Sequence, residues 1–244
     1  MTDLLAGKTV LVTAAAGTGI GFATAKRCIE EGAQVAITDI HERRLRESAD
    51  ELGAYAILAN VTAEDDVQRA LDEVVAEFGH LDVLVNNAGL GGTAPLVEMT
   101  DDQWATVLDV TLTGTMRMTR AALRHMYERE AGAIVNNASV VGWRAQEGQC
   151  HYAAAKAGVM ALTRCAAMEA AVHNVRINAV APSLAMHPHL AKVTTEELLA
   201  ELTTKEAFRR AADPVEVANV IIFLASDLAS YMTGEVVAVS SQHP

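Results

Sequence analysis

Thr9-Val-Leu-Val-Thr-Ala-Ala-Ala-Gly-Thr-Gly-Ile-Gly21 reads as an apolar β-branched run, a turn of small residues and a helix start. A buried strand followed at once by such a turn is the opening of a nucleotide-binding βα unit. Gly17, Gly19 and Gly21 let the backbone approach a pyrophosphate, whose charge a helix N-terminus stabilises. Thr13, Ala15, Thr18 and Ile20 are the neighbouring positions expected to border it. Glycine turns of this kind also occur without a ligand, so a second signal is needed. Asp39 supplies one, because it ends the next apolar run about 20 residues on, where a carboxylate accepts hydrogen bonds from the adenosine ribose. A carboxylate there repels a 2′-phosphate, so NAD is expected over NADP. His41, Arg43 and Arg44 follow closely and leave NADP open, although they also suit the solvated start of a helix.

The same alternation continues along the chain, which signals a parallel sheet with crossover helices. Strands are expected at Thr9–Thr13, Gln34–Asp39, Tyr55–Asn60, Val83–Asn86, Ala133–Asn137, Arg176–Ala181 and Val236–Val239. Helices are expected at Gly21–Glu31, Glu42–Leu52, Glu64–Phe78, Asp101–Glu130, His151–His173 and Pro214–Ala225. Thr62 and Thr100 have N-cap character, each with acidic residues in the following turn. No low-complexity tract, repeat or linker interrupts the pattern, so residues 1–244 are read as one domain. The rhythm lapses between Pro182 and Pro214, where Ser-Leu-Ala-Met-His-Pro-His-Leu precedes a helical stretch at Thr195–Lys205. An insertion after a strand's C-terminal end lies where open α/β sheets bind ligands, and a substrate lid is expected at about 183–212.

A formal charge of −12 argues against a phosphate-backbone surface, so no nucleic-acid partner is expected. No apolar run approaches the roughly 18 residues of a membrane span, and the N-terminus lacks a signal-peptide pattern. A cytoplasmic location is the expectation. Cys28, Cys150 and Cys165 are too widely spaced for a zinc ribbon or a disulfide framework. Cys28 and Cys165 are expected in the core, and Cys150 at a helix entrance. His187 and His189 flank Pro188, but further ligands cannot be placed and no metal is expected. Trp104 is read as core and Trp143 as packing at the rim of the site.

Tyr152-Ala-Ala-Ala-Lys156 carries the chemistry. Positions i and i+4 share a helix face, so phenol and ammonium project to the same side. A nearby cation favours phenolate, which would bring Tyr152 toward neutrality as a general acid/base. Ser139, thirteen residues upstream, would donate a hydrogen bond to a carbonyl oxygen as charge builds on it. His151 would point away from Tyr152 and be structural.

The chain resembles the short-chain dehydrogenase/reductase family from Lys8 to about Val239. The resemblance rests on the glycine turn, Asp39, Asn86-Asn87-Ala88-Gly89, Ser139, Tyr152-x-x-x-Lys156 and Asn178-Ala-Val-Ala-Pro182. It implies a doubly wound Rossmann fold, a seven-stranded mainly parallel sheet, a nicotinamide cofactor and a homotetramer built through long helices. It further implies that Lys156 holds the nicotinamide ribose, that Asn87, Ala88 and Gly89 line the cofactor, and that Asn60 and Val61 flank the adenine. Four departures stand out. Ala14 replaces the first glycine of a turn that is one residue longer than usual. Thr111 stands where the family has an asparagine supporting a proton relay; its hydroxyl is expected to bond one turn back and still anchor a water. Pro182-Ser183 replaces Pro-Gly, and His187 takes the place of a carboxamide-binding threonine, so Pro182 and Ser183 are cofactor candidates and His187 a substrate candidate. Ser240-Ser241-Gln242 replaces the usual Asp-Gly-Gly.

The pattern is similar to 3-oxoacyl thioester reductases. It is closer still to actinobacterial members of steroid-ring catabolism, thought to oxidise a hydroxyl on a CoA-linked ring remnant. An acyl-thioester substrate facing Ser139, Trp143 and Tyr152 is implied. A 3-oxoacyl-(acyl-carrier-protein) reductase is the alternative, and a non-catalytic dinucleotide sensor is the alternative of another class.

Overall fold

In the computed structural model, which describes residues 3–186 and 196–241, the expected strands all form. They are β1 (Thr9–Thr13), β2 (Gln34–Asp39), β3 (Tyr55–Leu58), β4 (Val83–Asn86), β5 (Gly132–Asn137), β6 (Val175–Pro182) and β7 (Val236–Val239). Among the described residues they make one sheet in the order β3-β2-β1-β4-β5-β6-β7. Every pairing is parallel, where a mainly parallel sheet was implied. The third strand stops at Leu58, short of Asn60, because the Asn60 side chain accepts from Thr62 N at 3.0 Å and turns the chain.

Helices cover both faces, which is why the strands are almost continuously apolar. They are α1 (Ile20–Glu30), α2 (Glu42–Leu52), α3 (Glu64–Phe78), α4 (Asp101–Leu108), α5 (Gly114–Arg129), α6 (Cys150–Ala170), α7 (Glu196–Lys205) and α8 (Pro214–Ala225). Strand side chains alternate between faces. Val10, Val12, Ile37 and Val85 pack with Cys28 of α1 and Ile221 of α8. Leu11, Ala36, Leu84 and Ile134 pack with Leu71 of α3 and Met118 and Met126 of α5. Strand order reverses between β1 and β4, and the crevice beyond their carboxyl ends is where such sheets take ligands.

Several expectations are corrected. The continuous helix over Asp101–Glu130 is broken by a π turn at Asp109–Thr113 between α4 and α5. Thr100 caps α4 in a reciprocal capping box with Gln103, but α3 is capped at Ala63, without a side-chain bond, and not at Thr62. Cys28 is buried as expected, and burial pushes its thiol up to about 12. Cys165 is exposed rather than core, because it lies on the outer face of α6. Trp104 is likewise not core: it is 39% exposed on α4. No helix among the described residues is long and apolar enough to cross a membrane.

Candidate active site

The turn between β1 and α1 shows three uses of glycine. Gly17 has φ +106°, and a Cβ there or at Gly19 would meet nothing within 4 Å. Open space therefore lies in front of this backbone. At Gly21 a Cβ would fall 2.5 Å from Asn87 Nδ2 and 2.6 Å from the Ala14 carbonyl, so this glycine permits close helix–strand packing. The first turn of α1 has neither a side-chain cap nor an acidic residue, leaving its amides free for an anion. These features fit the diphosphate of a dinucleotide.

Two side chains from the β2–α2 unit hold the lengthened turn. Asp39 Oδ2 accepts from Ala16 N at 3.3 Å, and its Oδ1 accepts from His41 N at 3.0 Å. Burial raises the pKa of Asp39, against which the Ala16 amide and Arg44 work in the opposite direction. Ser48 accepts from Gly17 N at 3.0 Å. Sequence reading missed Ser48, since a serine inside an amphipathic helix gives no signal of what it reaches. Ala14 adopts φ +51°, a left-handed backbone that glycine takes up more readily than alanine.

At the other side of the crevice, the ends of β4 and β5 and the start of α6 converge. Lys156 is buried, and its Nζ donates to the Asn137 carbonyl at 2.6 Å. It lies 5.5 Å from the centroid of the Tyr152 ring. Gly89 is close by, since a Cβ there would come within 3.3 Å of Nζ. Burial lowers the Lys156 pKa from 10.5 to about 8. Ser139 is buried, begins the short 3₁₀ turn Val140–Gly142, and accepts from Val141 N at 3.3 Å. The spacing was expected to bring Tyr152 toward neutrality. Instead burial raises its pKa, and a hydrogen bond with the Ser139 side chain only partly offsets this. Ser139, Tyr152 and Lys156 are thus brought together.

Thr111 is fully buried within the π turn. Its hydroxyl does not bond one turn back as expected. It accepts from Leu90 N at 3.0 Å and donates to Leu90 O at 3.2 Å, tying the loop after β4 to the long helix. Thr115 Oγ1 takes the Thr111 carbonyl at 2.8 Å. The same loop is joined to the segment before α6 by Ala94 N and Gly148 O at 2.9 Å.

Asn87 and Ala88 lie at the end of β4. Their amides both donate to Thr13 Oγ1 at 2.9 Å, and Asn87 Nδ2 donates to the Thr13 and Ala14 carbonyls. Val61 is buried against Gly114, where a Cβ would meet it at 2.7 Å. Asn60 is exposed at the end of β3. Pro182 ends β6, and Ser183 N donates to Val239 O at 3.1 Å. Trp143 is 51% exposed at the far end of the short turn that Ser139 begins. His151 is buried and accepts from Tyr152 N through Nδ1 at 2.9 Å, consistent with a structural role. His187 lies outside the described residues, as does Gln242.

A family model described as enoyl-(acyl carrier protein) reductase matches residues 14–241. A solved short chain dehydrogenase from Mycobacterium smegmatis is 56% identical and superposes with a TM-score of 0.89, over 99% of this chain and 95% of that one. The chain belongs to the short-chain dehydrogenase/reductase family. Among the relatives in this family, a hydroxy-methyl-oxo-hexahydroindene-carboxyl-CoA reductase of Mycobacterium tuberculosis is 60% identical, over 99% of this chain and 95% of its own length. A 3-oxoacyl-(acyl-carrier-protein) reductase of Thermotoga maritima is 39% identical over 96% and 97%. As a member of the short-chain dehydrogenase/reductase family the protein is an oxidoreductase, and the sensor alternative falls away.

Proposed function

We propose that this enzyme interconverts a ring secondary alcohol and its ketone on a CoA thioester, with NAD(H) preferred. The observation that carries the reading is the set of Ser139, Tyr152 and Lys156 at the mouth of the β1/β4 crevice, with Ser139 and Lys156 buried and Tyr152 half-buried. The nicotinamide, when bound, supplies or takes the hydride. Tyr152 exchanges the proton with the substrate oxygen. Ser139 donates to the same oxygen as charge develops. Lys156 holds the distal ribose, while Asp39 accepts from the adenosine ribose. Gly17, Thr18, Gly19 and Ile20 receive the diphosphate, bordered by Thr13, Ala15 and Gly21. Asn60 and Val61 flank the adenine, and Asn87, Ala88, Gly89, Pro182 and Ser183 complete the cofactor site.

A bulky alicyclic group is supported by glycines where a narrower site would carry side chains. Gly91 and Gly92 are exposed, and a Cβ at Gly91 would touch the Tyr152 ring at 4.0 Å. Leu90 and Trp143 offer exposed apolar surface nearby. The indene-carboxyl-CoA name of the relative at 60% identity points the same way. The protein is read as one domain with a lid at about 183–212 that carries His187 as a substrate contact. We place it in the cytoplasm as a homotetramer, for which exposed Trp104 on α4 and Met168 on α6 provide apolar surface.

A panel tests this: NADH and NADPH, each with an alicyclic keto acyl-CoA, a linear 3-oxoacyl-CoA and a carrier-protein-linked 3-oxoacyl thioester. The alicyclic CoA ester with NADH should give the highest kcat/KM. A preference for NADPH with the carrier-linked thioester would favour the second reading, suggested by the Thermotoga maritima relative.

A further inference from the structure

Asn137 is the last residue of β5, two positions before Ser139, and has no role in the reaction as described above. Its Nδ2 donates to Asn87 Oδ1 at 3.0 Å, and its backbone carbonyl accepts from Lys156 Nζ at 2.6 Å. Asn87 spends its own amide nitrogen on the Thr13 and Ala14 carbonyls, at 3.1 and 3.0 Å. These bonds fix both amide orientations. Asn87 has only its oxygen to offer, so Asn137 must turn its nitrogen toward it. Asn137 Oδ1 is left buried without a partner. Orphan buried acceptors are rare in native proteins, and each needs an explanation.

Unspent donor chemistry belongs to the lysine bonded to the carbonyl of the same residue. An ammonium has three hydrogens, and among the described residues Lys156 uses one, on the Asn137 carbonyl. A continuous hydrogen-bonded path therefore runs from the Thr13 and Ala14 carbonyls through Asn87 and Asn137 to Lys156. We propose that Asn137 is a positioning residue for Lys156: it ties the ammonium to the glycine turn through Asn87, and its Oδ1 accepts a second ammonium hydrogen when the cofactor-bound site is assembled. The inference rests on the reading that Lys156 holds the distal ribose of the cofactor. It adds a residue that links the two halves of the cofactor site.

The test compares Asn137→Leu and Asn137→Asp in the full-length protein, with NADH and ADP as probes and kcat alongside. ADP lacks the distal ribose and reaches only the adenosine half. Leucine keeps the side chain's bulk but has no polar atom; it should weaken NADH binding and lower kcat by roughly tenfold each, the scale of one lost bond to a charged group. ADP affinity should stay at the parental value. Aspartate keeps the shape and the acceptor beside Lys156 but cannot donate to Asn87 Oδ1, so it should bind NADH at least about threefold more tightly than the leucine variant without reaching the parent. Three results overturn the proposal: NADH affinity in Asn137→Leu within about twofold of the parent, equal losses for NADH and ADP, or an aspartate variant as impaired as leucine. The latter two would mean that Asn137 acts only through Asn87 and the turn. A parent protein that binds NADH no better than ADP would remove the underlying reading of Lys156, and the inference with it.

Discussion

The turn after β1 and the π turn between α4 and α5 each carry a residue foreign to the family pattern, and they absorb it differently. At Ala14 a side chain has been added where the backbone needs φ +51°, so the fold retains the conformation at a conformational cost. Asp39 and Ser48, bonded to the amides of Ala16 and Gly17, hold the lengthened loop in place. At Thr111 a side chain has been exchanged, and its hydroxyl makes both bonds to Leu90 within an intact π turn. A backbone requirement thus tolerates substitution only under strain, whereas a side-chain contact can be rebuilt by another polar group. Lys156 has contacts toward both: its Nζ bonds Asn137, which bonds Asn87 beside the first turn, and Gly89 lies between Nζ and Thr111.

The comparison is tested hardest at that junction. Lys156→Met removes a charge buried at a cost. A folded pKa of about 8 against 10.5 means that the unfolded chain holds this proton more tightly. The parent protein therefore carries a penalty of ~3 kcal/mol below pH 8, relieved as pH rises through about 8 to 10.5. Methionine should raise the denaturation midpoint of the cofactor-free protein near neutrality and abolish turnover, with the stability gain shrinking in alkali. Gly21→Ala comes next, because a Cβ would press on Asn87 Nδ2 and the Ala14 carbonyl. Overpacking of this kind costs about 1–3 kcal/mol, readable in urea unfolding, and should weaken dinucleotide binding as well.

Thr111→Val has a smaller expected effect. It removes both bonds to Leu90 at nearly constant volume and should cut turnover by roughly tenfold, close to 1.4 kcal/mol. Affinity for NADH should change little. Unchanged turnover across pH would leave Thr111 a packing residue and break the contrast. The smallest effect is at Ala14→Gly, which relieves the left-handed strain but frees the unfolded chain. A net gain of about 0.5 kcal/mol is expected, measured as a shift in urea midpoint. A loss of stability would mean that the turn is not strained at Ala14.

Periodicity and punctuation made most of the fold legible. Apolar, β-branched runs alternating with helical patterns gave each strand, and Thr100 with acidic residues after it read as an N-cap, to which the structure adds a reciprocal capping box with Gln103. The interruption of the long helix was not legible, because Asp109–Thr113 keeps an ordinary helical pattern and a π turn shows only in backbone bonding. Outer faces were also misjudged: Trp104 and Cys165 look like core in one dimension and prove exposed. At the site, Ser139, Tyr152 and Lys156 were visible through their joint occurrence at the spacing of the family the chain resembles. Ser48 and Asn137 were not, since each acts through a contact made by the folding of distant segments. Electrostatics was the least legible layer, because burial raises Tyr152 where charge proximity alone suggested the reverse.

The central claim is that Tyr152 moves the substrate proton while the neighbouring groups hold the cofactor. Tyr152→Phe removes only the phenolic oxygen, so single-turnover reduction and NADH affinity should be measured together on the purified variant. Loss of about 10²–10⁴-fold in the chemical step, with the NADH dissociation constant unchanged, is the predicted result. Turnover within a few-fold of the parent would contradict the account.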